Sequence, residues 1–237
     1  MTDPVAGSRV QSATAMASTA VGPAADGIDG VAVHPIEAES YRILAERVDL
    51  DRWPPLSRAV VSRVVHASAD VSFAETLVLT EETCAAIVAA LRAGAPVVSD
   101  VEMVAVATKR AGTVSMLGDG RKRAARDRAA GEPGLTVSAA AMREAADRWP
   151  SGAVVVVGNA PTALHEAVAL AAVGRFDPVA VIGLPVGFVG AAASKAALRE
   201  SGLPAISNVG ERGGSAVAAA ALNALWRLAQ DDAVVVP

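Results

Sequence analysis

Residues 153–183 read AVVVVGNAPTALHEAVALAAVGRFDPVAVIG. Ala153–Val157 is apolar without alternation, the pattern of a strand buried on both faces. A glycine and a proline bracket the turn that follows, and Pro161–Val173 then has the alanine and leucine content of a helix. Val179–Ile182 supplies a second buried strand. Strand, helix and strand in this order form a crossover unit, which implies parallel pairing.

The same alternation extends outward in both directions. Upstream, Leu77–Leu79 precedes a helix over Glu81–Arg92, and Pro96–Val98 precedes one over Asp100–Arg110. Thr113–Leu117 leads into two polar-faced helices, Arg121–Ala130 and Ser138–Trp149. Downstream, Val179–Ile182 is followed by a helix ending near Glu200, and Ala205–Asn208 by one over Ser215–Leu228. Helices over Ile36–Val48 and Leu56–Ala67, parted by Trp53-Pro54-Pro55, come before all of these. Ser99 and Glu102 have capping-box spacing, Thr80 precedes two glutamates, and Gly94 and Gly174 stand where helices should stop. The expected fold is a three-layer α/β/α sandwich with a mostly parallel sheet of about five strands. It forms a single domain over residues 34–230, after a flexible Ala-, Ser-, Gly- and Thr-rich leader over residues 1–33.

Composition narrows the function. The chain has 237 residues, a formal net charge of −4 and 52% hydrophobic residues, which excludes wholesale disorder and the basic surface of a duplex-binding protein. One cysteine, Cys84, rules out a disulfide framework and fits a reducing cytosol. Mean hydropathy is +0.39. The longest uncharged run of the folded part, Pro178–Ser194, is nevertheless broken by two prolines and three glycines, so it reads as strand and loop rather than membrane span.

In an open parallel sheet, ligands bind beyond the carboxyl ends of the strands. Three such exits are unusual here: Gly158-Asn159-Ala160-Pro161-Thr162-Ala163-Leu164, Gly183–Gly190 and Gly210–Ser215. Their free backbone N–H groups suit an anion, and Lys195 and Arg212 lie close by in sequence; they also read as ordinary strand-to-helix turns. None is a nucleotide motif: Gly183, Gly187 and Gly190 miss the dinucleotide spacing by one residue, and Gly210–Ser215 lacks the Walker lysine. Arg63 and His66 share a face of their helix. A half-sheltered histidine beside a cation either exchanges protons near neutrality or merely packs. Asp100 either caps a helix or meets a ligand, and Lys109 and Arg110 either close that helix or reach an anion. His34, His165 and Cys84 lie too far apart in sequence to resemble a metal site, and no nucleophilic triad is apparent.

Taken together, six segments resemble the precorrin-8X methylmutases of cobalamin biosynthesis. They are Ser40-Tyr41, Arg63-Val64-Val65-His66-Ala67, Asp100–Val104, Gly158–Leu164, Pro185–Ala191 with Ser194-Lys195, and Gly213-Gly214-Ser215 running into Asn223-Ala224. The resemblance implies a flavodoxin-like fold, a homodimer with its site near the subunit interface, and no added cofactor. It implies that His66 is the proton donor for an isomerisation in which a methyl group moves between adjacent ring carbons of a tetrapyrrole. It further places Ser40, Arg63, Asp100, Met103 and Arg110 against the substrate, with Ser138 at the start of a later helix. From the three loops it adds Asn159, Pro161 and Thr162; Gly187, Phe188, Ser194 and Lys195; and Arg212, Gly213, Gly214 and Ser215. A broad apolar disc fringed by carboxylates suits a trough with Arg63, Arg110, Lys195 and Arg212 at its rim.

The chain departs from the family's pattern at Val137, where an arginine is usual, at Ala107 in place of glycine, and at Ala193 in place of glutamate. The stretch Lys109–Thr113 is also shorter than usual. Lys109 and Arg123 are the candidates to replace the missing cation. A non-catalytic corrinoid carrier of the same fold is the alternative reading, and a nucleotide-dependent enzyme is a third.

Overall fold

Val154, Val155, Val156 and Val157 are all fully buried, and they divide between two cores. Val154 and Val156 face one side with Val97, Ala180, Ile182 and Ile206; Val155 and Val157 face the other with Val98 and Val181. A strand apolar on both faces has helices on both faces, and the chain builds them. The computed structural model describes residues 34–132 and 134–231, so the leader expected over residues 1–33 lies outside the described residues.

The first core is closed by α1 (Pro35–Arg47), α2 (Pro55–Ser68), α3 (Phe73–Thr76), α4 (Glu81–Arg92) and α10 (Ser215–Gln230). The second is closed by α7 (Val137–Arg148), α8 (Pro161–Ala172) and α9 (Ala191–Glu200), with α6 (Leu117–Ala129) packed outside α7. Between them lie β1 (Leu77–Val78), β2 (Val97–Ser99), β3 (Val114–Ser115), β4 (Val154–Val157), β5 (Ala180–Gly183) and β6 (Ala205–Asn208). The short helix α5 (Glu102–Ala107) and a 3-10 turn (Lys109–Ala111) join β2 to β3. Strand order is β1-β6-β5-β4-β2-β3. The five strands β2 to β6 are parallel and, counted in chain order, follow the flavodoxin-like sequence 2-1-3-4-5, with the switch between β2 and β4.

The mostly parallel sheet of about five strands is as expected, with a sixth strand added at its edge. β1 pairs with β6 antiparallel, Leu77 opposite Asn208. The chain comes off α2 through α3 at the carboxyl end of β6, where Val209 N–H donates to Thr76 O, so it can only run back. The Ser99–Glu102 capping box does not form: the cap of α5 is Val101, and Ser99 Oγ donates to Val101 O. The strand expected over Thr113–Leu117 shrinks to two residues because α6 starts at Leu117 and not at Arg121. The helix takes in Gly118 and Gly120, and Gly120 sits where α7 crosses: a Cβ there would stand 2.5 Å from Val137 O.

Candidate active site

The switch point is held by one carboxylate. Asp100 leaves β2 fully buried, its Oδ1 accepting from Gly158 N–H (3.0 Å) and its Oδ2 from Asn159 N–H (3.0 Å) and Ala160 N–H (2.7 Å). It does not cap its own helix, whose cap is Val101; its two oxygens pin the turn that carries Asn159 and Pro161. Beyond that turn, Thr162 Oγ1 lies 2.8 Å from Thr136 Oγ1, the cap of α7, next to Val137 and Ser138. Gly158 is where α10 comes closest, since a Cβ would lie 2.8 Å from both Ser215 Cα and Val104 Cγ2. Gly158→Ala is expected to destabilise the fold by about 1–3 kcal/mol through overpacking, read as a lower urea midpoint at unchanged slope.

The β5 and β6 exits are fastened to each other. Gly187 N–H donates to Glu211 O and Gly214 N–H to Leu184 O. Gly213, at φ +156°, admits no side chain, because a Cβ would stand 2.3 Å from Leu184 O. Lys195 is not at a rim. It is fully buried, and its Nζ donates to Asn208 Oδ1 (3.0 Å) and to Arg212 O (2.6 Å), tying α9 to the glycine turn. Ser194 is buried as well and donates to Ala191 O. Arg212 is exposed but occupied, its Nη1 bonding Asp70 (2.5 Å) and the Ser72 hydroxyl.

Burial, aided by the Arg199 cation, pushes the Lys195 ammonium down to about 8 from its ordinary 10.5. The unfolded chain then binds the extra proton between these values, so Lys195 adds stability as pH rises from about 8 to 10.5 and loses it as pH falls through 8. Lys195→Met should remove this rise, seen as a flatter difference in denaturation midpoint across that window.

His66 lies in the last turn of α2 and is half-buried. Its ring stacks on Tyr41 with centroids 4.5 Å apart and planes 11° apart, and Ser40 Oγ is 3.1 Å from its Nδ1. Arg63, one turn earlier, donates to the Tyr41 hydroxyl (3.0 Å) and pairs with Glu37 (3.2 Å). Tyr41 and Glu37 thus join the candidate site though sequence reasoning did not single them out as such; the signal for Tyr41 was the Ser40-Tyr41 pair, and Glu37 had none. The ion pair of Arg212 with Asp70, four residues past His66, fastens the end of α2 to the carboxyl edge of the sheet.

Exposed apolar side chains crowd the same edge: Met103 and Val106 on α5, Val186, Phe188 and Val189 after β5, and Val209 after β6. Phe188 and Val189 are 91% and 89% exposed. Arg110 lies apart, in the 3-10 turn after α5, where it shares a cavity with Arg63. Arg123 cannot stand in for a cation at 137, because Glu144 (3.0 Å) and Asp147 (2.5 Å) hold it. His34 caps α1, His165 is exposed on α8, and burial pushes the Cys84 thiol up to about 12, which leaves it no nucleophile. Among the described residues no group of three or more His, Cys, Asp or Glu could hold a metal ion, and no helix is long and apolar enough to cross a membrane.

The fold is thus that of a doubly wound α/β protein, with a half-buried imidazole on the helix whose end is tied to the carboxyl edge, where such sheets bind ligands. The sequence pattern of the CbiC precorrin-8X methylmutases matches residues 35–228. A precorrin-8X methylmutase of Sinorhizobium sp is 40% identical over 207 residues, covering 84% of this chain and 95% of the relative. A cobalt-precorrin-8 methylmutase of Methanothermobacter thermautotrophicus is 37% identical with the same coverage. The crystal structure of precorrin-8x methyl mutase from Thermus thermophilus superposes with a TM-score of 0.74 at 34% identity, covering 85% of this chain and 98% of that one. The chain belongs to the precorrin-8X methylmutase family, isomerases of cobalamin biosynthesis.

Proposed function

We propose that the chain converts precorrin-8X to hydrogenobyrinate by moving a methyl group between adjacent carbons of one ring, with His66 as the proton donor. The observation that carries this reading is the imidazole clamped between Tyr41 and Ser40 at the end of α2. A serine hydroxyl donates to or accepts from Nδ1 as the ring changes protonation state, so Ser40 holds the ring in both and leaves Nε2 for the macrocycle. A proton delivered there favours the tautomer from which a 1,5-sigmatropic shift proceeds, and it is returned when the methyl has moved. No atom is gained or lost, so the reaction asks for a held conformation and one placed proton.

The macrocycle would lie on the carboxyl edge, against Met103, Asn159, Pro161, Thr162, Gly187 and Phe188, with Ser138 and the Gly213-Gly214-Ser215 turn at its border. Asp100, Ser194 and Lys195 support this edge from within and do not touch the ligand. The family resemblance implies a cytoplasmic homodimer, which sedimentation of the purified protein checks. The relatives named above carry the enzyme's name rather than a carrier's.

Mixing the purified protein with precorrin-8X, and separately with its cobalt form, is expected to produce the visible spectrum of the isomerised product with catalytic amounts of protein. A bound but unchanged spectrum in both would point instead to a carrier.

A further inference from the structure

Outside the glycine-rich edge, one cavity of about 660 Å³ opens between α2, the end of α5 and α10. Its walls are Arg63, Lys109, Arg110, Asn223, Trp226 and Arg227, completed by Val106 and Ala107, with no acidic residue among them. Asn223 Nδ2 donates to Ala107 O (3.0 Å), which bolts two of the walls together without a ligand. A second cavity of about 370 Å³ shares Arg110 and Trp226 and prolongs the first along α10 towards Gly112 and Val114.

What sets these charges apart is that four cations line one concave site with no acidic residue among its walls, whereas other cations without an ion-pair partner among the described residues, such as Arg47, Arg121 and Arg128, do not line it. Several arginines elsewhere stand against acids: Arg42 with Glu39, Arg123 with Glu144 and Asp147, Arg143 with Glu166, Arg175 with Asp147. Among the described residues, Lys109, Arg110 and Arg227 have no carboxylate in ion-pair contact, and Arg63 alone of the four meets one, Glu37. Like charges gathered in a concave site with no counter-charge repel each other and raise the local concentration of anions. The cavity also begins at the imidazole cluster, because Arg63 bonds the Tyr41 hydroxyl whose ring lies against His66.

We propose that this cleft binds the carboxylate arms of the macrocycle on which His66 acts, with Lys109, Arg110 and Arg227 supplying the charges and Trp226 the apolar wall. This rests on the methylmutase reading. An arm reaching from a ring seated near His66 passes Arg63 first and ends among three cations that lack an acid. Carboxylates are the ligand these groups fit: a guanidinium binds one through two parallel N–H donors, and the lysine adds a point charge. Lys109, Arg110 and Arg227 are then specificity-determining residues that fix which edge of the disc faces the imidazole.

The test uses the full chain and the variants Lys109→Ala, Arg227→Ala and their combination, with Lys109→Arg as the charge-keeping control. Hydrogenobyrinate binding is followed through its visible absorbance at two ionic strengths, and turnover of precorrin-8X is measured in parallel. Each single variant should bind about fivefold more weakly and the double variant about twentyfold, with a shallower salt dependence, because partly exposed charged contacts are removed. The loss should fall on KM rather than kcat, and Lys109→Arg should restore most of it. A double variant that binds like the unaltered chain, with the same salt dependence, overturns the cleft even if precorrin-8X is still converted. If the unaltered chain converts nothing yet the double variant binds hydrogenobyrinate more weakly, the cleft stands and the methylmutase reading falls. A chain that binds no hydrogenobyrinate, or whose Trp226 fluorescence reports citrate binding that leaves hydrogenobyrinate bound, overturns the assignment to the macrocycle's arms.

Discussion

His66→Ala is expected to lower the turnover of precorrin-8X by at least about 100-fold while the protein remains folded, since a positioned general acid contributes roughly 10²–10⁴ in rate. The variant loses a stacked ring and one hydrogen bond between α1 and α2, about 1–2 kcal/mol. Its core is untouched, because Val60, Val61, Val64 and Val65 do the packing of α2. Ser40→Ala gives the graded counterpart. It leaves the imidazole in place without its Nδ1 partner, so turnover falls by about tenfold, the scale of one hydrogen bond. Steady-state kinetics on both variants, with circular dichroism as the folding control, checks the pair. Turnover by His66→Ala within a few-fold of the unaltered chain would remove the imidazole from the chemistry.

Asp100→Ala is expected to be the most destabilising single change, by about 3 kcal/mol or more. It strands the amide hydrogens of Gly158, Asn159 and Ala160, and each buried donor left without an acceptor costs about 1–3 kcal/mol. Asp100→Asn separates charge from shape: one oxygen still accepts, but the new amide group turns a donor towards a donor, so about half of the loss remains. Denaturant midpoints measure both. Burial, the larger influence, holds the Asp100 carboxyl above its ordinary value, and the three amides pull it back. With the folded value raised, Asp100 contributes its titration-linked stability in acid and gives it up as pH rises through that value. Asp70, held low first by the Ser72 hydroxyl, and Asp147, held low first by Arg123, have the opposite sign. Of these three carboxyls, Asp70 and Asp147 give up stability on acidification and Asp100 does not.

Much of the fold was legible because burial on both faces leaves a plain mark. Val154–Val157 has no polar residue to alternate with, and every parallel strand of the sheet overlaps a valine- or isoleucine-bearing run that the sequence marked, β2 and β5 each running one residue past it. The direction of β1 was not legible, since two residues carry no sign of which way they run and the answer lies in where α3 delivers the chain. Gly118 and Gly120 concealed the start of α6, as a glycine needed for close helix approach looks the same as one that breaks a helix.

The site was legible in part. Arg63 and His66 share a helical face whatever the fold does, and spacing alone reveals it. Their partners Tyr41, Ser40 and Glu37 belong to another helix, and that contact is tertiary. The burial of Lys195 was not legible: a cation beside glycine turns reads as lying at a rim, and its acceptors, Asn208 and the Arg212 carbonyl, are brought to it by β6 and the turn that follows. The partners of Asp100 were not legible either, because its three donors lie about sixty residues away in sequence, on the neighbouring strand's exit.

Determining the structure with hydrogenobyrinate bound tests the central claim most directly. The prediction is a macrocycle on the carboxyl edge with Nε2 of His66 within hydrogen-bond distance of it. A macrocycle seated there with that nitrogen turned away, or bound elsewhere on the protein, would contradict it.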